Sequence, residues 1–554
     1  MTNSLNVHHR SAAIDQLEKN TFDLCVIGGG ITGAGIARDA QSRGLSVALI
    51  EARDFAEGTS SRSSKLIHGG IRYLENLEFG LVFEALSERR LLFEIAPHLV
   101  HPLRFVLPLY RGGRVGMGMM GLGMWLYDAL SLFEAPEMHE RLDAEEACRR
   151  LPLLQARDLL GAYAYSDAYM DDDRLVHETL RPAVAQGAVA LNYIAATGAR
   201  MVDGRLRAVV ARDRKTSREI NIRARHFIST VGPWTDAVAT ELLGSWHPIL
   251  RPSKGVHLTF DRRRLQLNEA VVMAADQQKR IVFGIPRHEM CIIGTTDTDF
   301  SGDPADVTCS SSDVEYLLGV ANEYFPGAKL ERADILATYA GVRPLVDDGS
   351  ATESKTSREH LILNDPRNVT FVAGGKYTTY RRMAEQAVES ALACFPIEDQ
   401  VRWARSDTQS PLNPVITVDS LGESLRRVRE QAQSYHVSEA TARWLTERHG
   451  PESDQLLRHL DQVRRAIANG AEESHHAHGV EAIHAIRETG CQHLRDFYTR
   501  RVPLVLSRRD HGLGMSDSLS RVFAAELSWS EERRADEVRE LRAQIDHDQS
   551  ALRN

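Results

Sequence analysis

The sequence predicts an α/β protein: a Rossmann-like dinucleotide-binding domain interleaved with an antiparallel-sheet domain, followed by a helical C-terminal domain. Three observations carry this. Phe22–Asp54 reads as strand, glycine triplet, helix, strand and terminal acid within one unit of ~30 residues. Between Ile249 and Phe300 apolar residues recur at period two in GVHLTF, AVVMAA, RIVFGIP and MCIIGTTDTD, which argues for antiparallel strands rather than another βαβ unit. Beyond residue 415 the chain becomes rich in Arg and Glu at helical spacing. The expected limits are a tail over 1–20, a discontinuous two-domain region over 21–395 with its second sheet at about 249–340, a linker over 396–415 and a helical domain over 416–554.

Bulk properties bound the function. A length of 554 residues fits two to four domains, and a net charge of −9 argues against generic nucleic-acid binding. The six cysteines, Cys25, Cys148, Cys291, Cys309, Cys394 and Cys491, show no C-x-x-C spacing. Neither a disulfide framework nor a thiolate metal site is expected, and a reducing compartment is. The polar first twenty residues lack a signal-peptide core, and no apolar run reaches the ~18 residues a spanning helix needs.

Within the first unit each residue has a job. Gly28 permits the tight turn, Gly30 lets backbone N–H groups approach a pyrophosphate, and Gly33 lets the helix lie close on the sheet. The helix start supplies orphan N–H donors for the phosphates. Glu51 closes the second strand about 20 residues later, where an acid accepts from ribose hydroxyls.

Thr59–Leu74 is dense in hydroxyls, with Lys65, His68, Arg72 and the Gly69-Gly70 pair. Composition leaves two readings open: a polar loop leading into the next helix, or a cofactor-lining segment with Arg72 aimed at an anion. Phe79–Ala96 has the period of an amphipathic helix. Val115–Tyr127 is uncharged, rich in Met and Gly, and bracketed by Arg111, Arg114 and Asp128; it suits a membrane interface and a buried helix equally. Asp171-Asp172-Asp173 reads as acids capping a helix start rather than a metal site. Val189–Asn192, Arg205–Ala211, Glu219–Ile222 and Arg225–Val231 are expected strands, the last running into Gly232-Pro233-Trp234. Val369–Ala373 is another, with a turn at Gly374-Gly375-Lys376 and a helix from Tyr377. His8 and His9, and His475, His476 and His478 in ESHHAHG, read as solvated residues; no metal site is expected.

Eight collinear segments give the chain a family resemblance: VIGGGITGAGIARDA, TSSRSSKLIHGGIRYLE, YSDAYMDDDRLV, TVGPWT, RIVFGIP with IIGTTDTDF, TYAGVRPL and GGKYTTYR, spanning about 22–385. It resembles the bacterial FAD-dependent, membrane-associated glycerol-3-phosphate dehydrogenases, and HLRDFYTRR at 493–501 resembles their helical cap. Thr32 stands where Asn is expected, and the tail is longer than usual. The resemblance implies a glutathione-reductase-like FAD domain and oxidation of glycerol 3-phosphate to dihydroxyacetone phosphate by hydride transfer to FAD. It also implies electron transfer to a membrane quinone, peripheral attachment to the inner face of the cytoplasmic membrane, and a homodimer. Expected cofactor contacts are Gly28, Gly30, Ile31, Thr32, Gly33, Glu51, Ala52, Thr59, Ser60, Ser63, Ser64, Lys65, His68, Gly69, Gly70, Gly232, Trp234, Gly375, Lys376, Tyr377 and Thr378. Arg72, Tyr73, Arg343 and Lys376 are the expected substrate ligands, with His257 and Arg343 catalytic. A histidine is the simplest general base near neutral pH, and a guanidinium beside the reacting oxygen stabilises an alkoxide. His68 is expected beside non-covalent FAD. The competing readings are a related flavin oxidase or 2-hydroxyacid dehydrogenase, and a flavin-binding protein without turnover.

Overall fold

Two sheets divide most of the chain between residues 21 and 374. The computed structural model describes residues 4–275, 280–347, 349, 359–467 and 470–553, without the side chains of Arg72, Glu75 and Asn76. The first sheet runs His360–Asp365, Val369–Gly374, Glu219–Ser229, Thr21–Ile27, Val47–Ile50, Val189–Leu191. All neighbours along this path are parallel except the first pair. Its central strands are buried on both faces, hence the unbroken apolar runs in CVI and VALI. Helix Ile31–Ser42 packs between helices Asp172–Ala185 and Tyr380–Leu392.

The strands expected at Glu219–Ile222 and Arg225–Val231 are one strand, Glu219–Ser229. Its first half alternates in burial and pairs antiparallel with Arg205–Asp213, while its second half is buried and pairs parallel with Thr21–Ile27. One strand thus changes partners along its length.

The second sheet is wider than the 249–340 window. Its ten strands include Leu66–Ile67, Val100–Tyr110, Glu140–Leu142 and Leu159–Met170 beside those from 250–346. The parallel pairing of Ala270–Ala275 with Val100–Tyr110 joins the two sequence regions. Prolines 102 and 108 and the Tyr/Ala alternation of 162–169 hide these strands from a search for β-branched runs.

The N-terminal tail and the linker also need correction. Arg10–Lys19 is a helix whose Ile14 and Leu17 are buried against the first sheet. Residues 396–415 form a strap over helix Ile31–Ser42: Arg38 donates to the carbonyls of Thr408 (2.9 Å) and Ser410 (2.6 Å), and Trp403 and Leu412 are buried. The polar composition that suggests a linker satisfies buried arginines instead.

From Val418 onward the described elements are helical, with a core of their own. Buried ion pairs dock this domain on the first. Asp54 accepts from Arg500 (2.8 Å) and Arg501 (2.8 and 3.0 Å), Tyr193 donates to Asp496, and Arg448 bonds Glu481 (2.8 Å) while facing Asp171 at 3.5 Å. Burial opposes ionisation of Asp54, yet Arg501 and Arg500 hold its carboxyl well below the usual range.

Candidate active site

The glycine turn is built as the spacing requires. Gly28 has φ +109°, and a Cβ there would meet the Thr230 carbonyl oxygen at 2.8 Å. A Cβ on Gly33 would lie 1.9 Å from the Gly28 carbonyl oxygen, so helix and turn touch backbone to backbone. Gly30 caps helix Ile31–Ser42 without a side-chain bond, and the Ile31 N–H donates to Ser60 Oγ (3.0 Å). Glu51 is clamped at the end of its strand by the Gly29 N–H (2.7 Å) and the Arg53 N–H (2.9 Å). Burial raises its pKa against those two bonds. A carboxylate fixed in this way keeps lone pairs for ribose hydroxyls.

A cleft of about 590 Å³ runs from this turn to the second sheet. Gly28, Gly30, Ile31, Thr32, Glu51, Ala52, Thr59, Ser60, Ser63, Ser64, His68, Gly70, Gly232, Trp234, Gly375, Lys376, Tyr377 and Thr378 line it, with Tyr73, His257 and Arg343. An uncapped helix start, a clamped acid, and hydroxyls along one cleft fit a flavin dinucleotide. Gly33, Lys65 and Gly69 are not in that wall. Gly33 acts through packing. Lys65 buries its ammonium against Asp172 Oδ1 (2.5 Å), and the Gly69 N–H donates to Asp167 Oδ1 and Tyr127 Oη, both at 3.1 Å. The side chain of Arg72 lies outside the described residues.

The acids 171–173 are more than a helix cap. Asp171 precedes helix Asp172–Ala185 but makes no side-chain cap. Its carboxylate is buried against Arg287 (2.5 Å) and Arg174 (3.2 Å), and despite the cost of burial Arg287, His288 and Arg448 hold it well below the usual range. Asp172 receives Lys65 and the Ser63 hydroxyl (2.7 Å), and its carbonyl accepts from Tyr377. It therefore fixes three motif residues at once.

His257 lies on strand Leu250–Asp261, paired with Tyr339 of strand Ile335–Val346. The imidazole stacks on the Tyr339 ring, its Nε2 is 2.8 Å from Ser64 Oγ, and it is 2% exposed. Burial first, then Arg343 and Lys65, push its pKa well below the ordinary value, so it is neutral at neutral pH. Arg343, on the same partner strand, donates to Asp297 Oδ1 (3.2 Å), Thr295 Oγ1 (3.0 Å) and the Thr296 carbonyl (3.3 Å). Gly255 makes room for it: a Cβ there would sit 2.6 Å from Nη2. Asp297 in turn accepts from Ser253. Lys376 places its ammonium 4.0 Å from the centroid of the Tyr73 ring.

The helix expected from Tyr377 starts at Tyr380, because Gly374 (φ +72°) and Gly375 (φ +84°) turn the chain across the cleft first. Asp297 and Tyr339 are positioning residues the sequence reading missed, and Ser64, expected at the cofactor, also holds His257. The only signal for the first two is membership of the TTDTD and TYAGVRP segments. His475, His476 and His478 lie within helix Glu473–Glu488, where His478 is buried and bonds Glu481 (2.9 Å) rather than fraying into solvent.

Residues 117–130 form a helix that is neither wholly buried nor wholly exposed. Met119, Leu122 and Trp125, three apart, are exposed by 68, 67 and 60%, while Met124 and Tyr127 are buried. The adjoining helix Phe79–Ile95 adds exposed Phe79 and Phe83. No described helix is long and apolar enough to cross a membrane.

Comparison with known proteins agrees with this geometry. The family model of FAD-dependent oxidoreductases matches residues 23–381, and that of the C-terminal domain of alpha-glycerophosphate oxidase matches 421–534. The chain is 35% identical over 544 residues to a glycerol-3-phosphate dehydrogenase of Mycobacterium leprae, covering 98% of this chain and 91% of that one. It is 30% identical over 554 residues to an aerobic glycerol-3-phosphate dehydrogenase of Staphylococcus saprophyticus, covering 99% and 98%. The crystal structure of the glycerol-3-phosphate dehydrogenase of Bacillus halodurans complexed with FAD superposes with a TM-score of 0.79 at 28% identity, covering 99% of both chains.

Proposed function

The chain belongs to the FAD-dependent glycerol-3-phosphate dehydrogenase family, and from that premise we propose that it oxidises sn-glycerol 3-phosphate to dihydroxyacetone phosphate. The observation that carries this reading is that buried, neutral His257, Arg343, Lys376 and Tyr73 line the same cleft as the glycine turn and Glu51. FAD, when bound there, supplies the acceptor for the hydride leaving C2 of the substrate.

The side chains divide the remaining work. His257 takes the proton of the C2 hydroxyl as general base. Arg343, held in place by Asp297 and Thr295, faces the same oxygen and stabilises its negative charge. Lys376 and Tyr73, with Arg72, bind the phosphate, whose charge and planar oxygen edges suit ammonium and guanidinium donors. His68 packs beside the cofactor without a covalent bond to it.

The exposed apolar face of helix Met117–Leu130, close in sequence to Arg111 and Arg114, supports peripheral attachment to the inner face of the cytoplasmic membrane. On that surface a membrane quinone receives the electrons. The deciding experiment is anaerobic addition of glycerol 3-phosphate to the purified yellow protein. The flavin band bleaches, and a soluble quinone analogue restores it with little peroxide formed in air. Bleaching by 2-hydroxyacids but not by glycerol 3-phosphate overturns the substrate, and stoichiometric peroxide overturns the acceptor.

A further inference from the structure

A second cavity of about 830 Å³ lies where the C-terminal helices meet the cofactor domain. It shares Arg53, Glu57, Arg62 and Arg214 with the wall of the cofactor cleft but none of the proposed catalytic residues. Seven Arg and Lys side chains line it against four Asp and Glu.

The acids there are largely engaged or weakened. Glu57 sits between Arg53 and Arg500, 3.5 Å from each, and Glu540 lies 3.9 Å from Arg533. Asp548 accepts from Gln544 (3.0 Å), and burial raises its pKa against the nearby Arg62 charge. Only Asp306 remains.

Among the cations Arg53 is paired with Glu57, Arg500 with Asp54 and Asp496, and Arg533 with Glu537; the other four are less well matched. Arg62 donates to the Ala340 carbonyl (3.3 Å), and neither it, Arg214 nor Lys215 has an ion-pair partner among the described residues. Arg495 has its nearest carboxylate, Asp496, at 3.8 Å. The Lys215 ammonium is 2.7 Å from His493 Nε2 and 5.6 Å from the Tyr193 ring centroid. On the far side of His493, Nδ1 is held by Glu537 (2.8 Å) with Arg533 at 3.3 Å. Burial, then repulsion from Arg533, lowers the Lys215 pKa. Folding crowds like charge into a concavity, and a bound anion is the direct relief.

We propose that this cavity binds a small polyanion carrying two or more phosphate groups, at a site separate from those of cofactor and substrate. Several guanidinium forks lining one cavity suit several phosphate oxygens at once, which a single monoanion cannot bridge. Arg62 extends the site toward the chemistry, since its neighbours Ser63 and Ser64 hold Asp172 and His257.

The test is calorimetric titration of the FAD-loaded full chain at fixed ionic strength with pyrophosphate, ADP, inorganic phosphate and sulfate. Pyrophosphate or ADP binds once per chain, about tenfold or more tighter than phosphate or sulfate, with the flavin spectrum unbleached. Tighter ADP identifies a nucleoside diphosphate, and equal affinity identifies the diphosphate alone; both support the site. Lys215→Glu weakens binding at least about tenfold, and Arg495→Ala, whose side chain lines this cavity and not the cofactor cleft, does so as a second variant with retained FAD as the sign of folding. Absence of heat at millimolar ligand overturns the proposal. So do equal affinity for sulfate, unchanged binding in both folded variants, and competition by glycerol 3-phosphate. The last result places the anion in the substrate cleft.

Discussion

The imidazole of His257 lies flat on the ring of Tyr339, with centroids 4.6 Å apart and planes within 7°. Directly opposed residues on neighbouring antiparallel strands set this pair, and the Lys65 ammonium stands 5.6 Å from the Tyr339 ring centroid. The stack and the Ser64 bond fix the ring orientation in a site where water does not compete.

Tyr339→Ala should therefore cost orientation rather than cofactor. Aromatic pairs contribute ~0.5–1.5 kcal/mol beyond area burial, so turnover should fall about tenfold with FAD content unchanged, and Tyr339→Phe should recover most of it. Steady-state kcat of both variants, with flavin content measured alongside, checks the role. Equal loss in Ala and Phe assigns the effect to the hydroxyl instead.

The depressed pKa of His257 predicts a pH profile. The base is active when neutral, so kcat/KM rises with pH through the free-enzyme pKa and is flat above it. Because burial, Arg343 and Lys65 all disfavour the imidazolium, the acid limb should lie below 6.5, histidine's ordinary value. Measured kcat/KM from pH 5 to 8 reads this directly; an inflection above 6.5 removes His257 as the base.

Arg343→Ala should reduce turnover by about 100-fold or more with flavin retained, as expected for loss of an alkoxide-stabilising donor. Asp297→Asn, which keeps shape but removes the carboxylate that aims the guanidinium, should give a smaller loss of about tenfold. Single-turnover flavin reduction separates the two. The order reversed would make Asp297, not Arg343, the principal group.

Asp54→Ala leaves Arg500 and Arg501 buried without their shared carboxylate, at a cost of about 3–5 kcal/mol. Denaturant midpoints of wild type and variant measure it. The sign with pH follows: a carboxyl depressed below its ordinary 3.8 stabilises the fold above that value, and this contribution is lost as pH falls below it.

Replacing Met119, Leu122 and Trp125 together by Ser should move the protein from membrane vesicles to the supernatant without changing dye-linked activity. Vesicle sedimentation checks this; unchanged partitioning assigns attachment to another surface.

The cofactor unit was legible in sequence because its constraints are local: Gly28, Gly33 and Glu51 act on backbone within one βαβ turn. The periodicity of 249–300 was legible for the same reason. What was hidden depends on pairing across long separations. Val100–Tyr110, paired with Leu159–Met170, connects to the strands of 250–346 by meeting residues 270–271, and Lys65 leaves the cofactor wall because Asp172 is buried beside it. The strap at 396–415 looked like a linker because several of its contacts, those to Arg38 among them, are backbone carbonyls, which no side-chain pattern announces. Likewise, nothing in the spelling of TYAGVRP says that Tyr339 opposes His257; only the register of two strands does.

The bond from Asp54 to Arg501 also orders events in time. A ribosome makes the carboxylate near the start of synthesis and the two guanidinium groups near its end. Until they emerge, the nascent first domain carries a negative charge in a place shaped to be dry, a few residues past Glu51. Docking of the two domains through this carboxylate is thus possible only once residues 500 and 501 have been made.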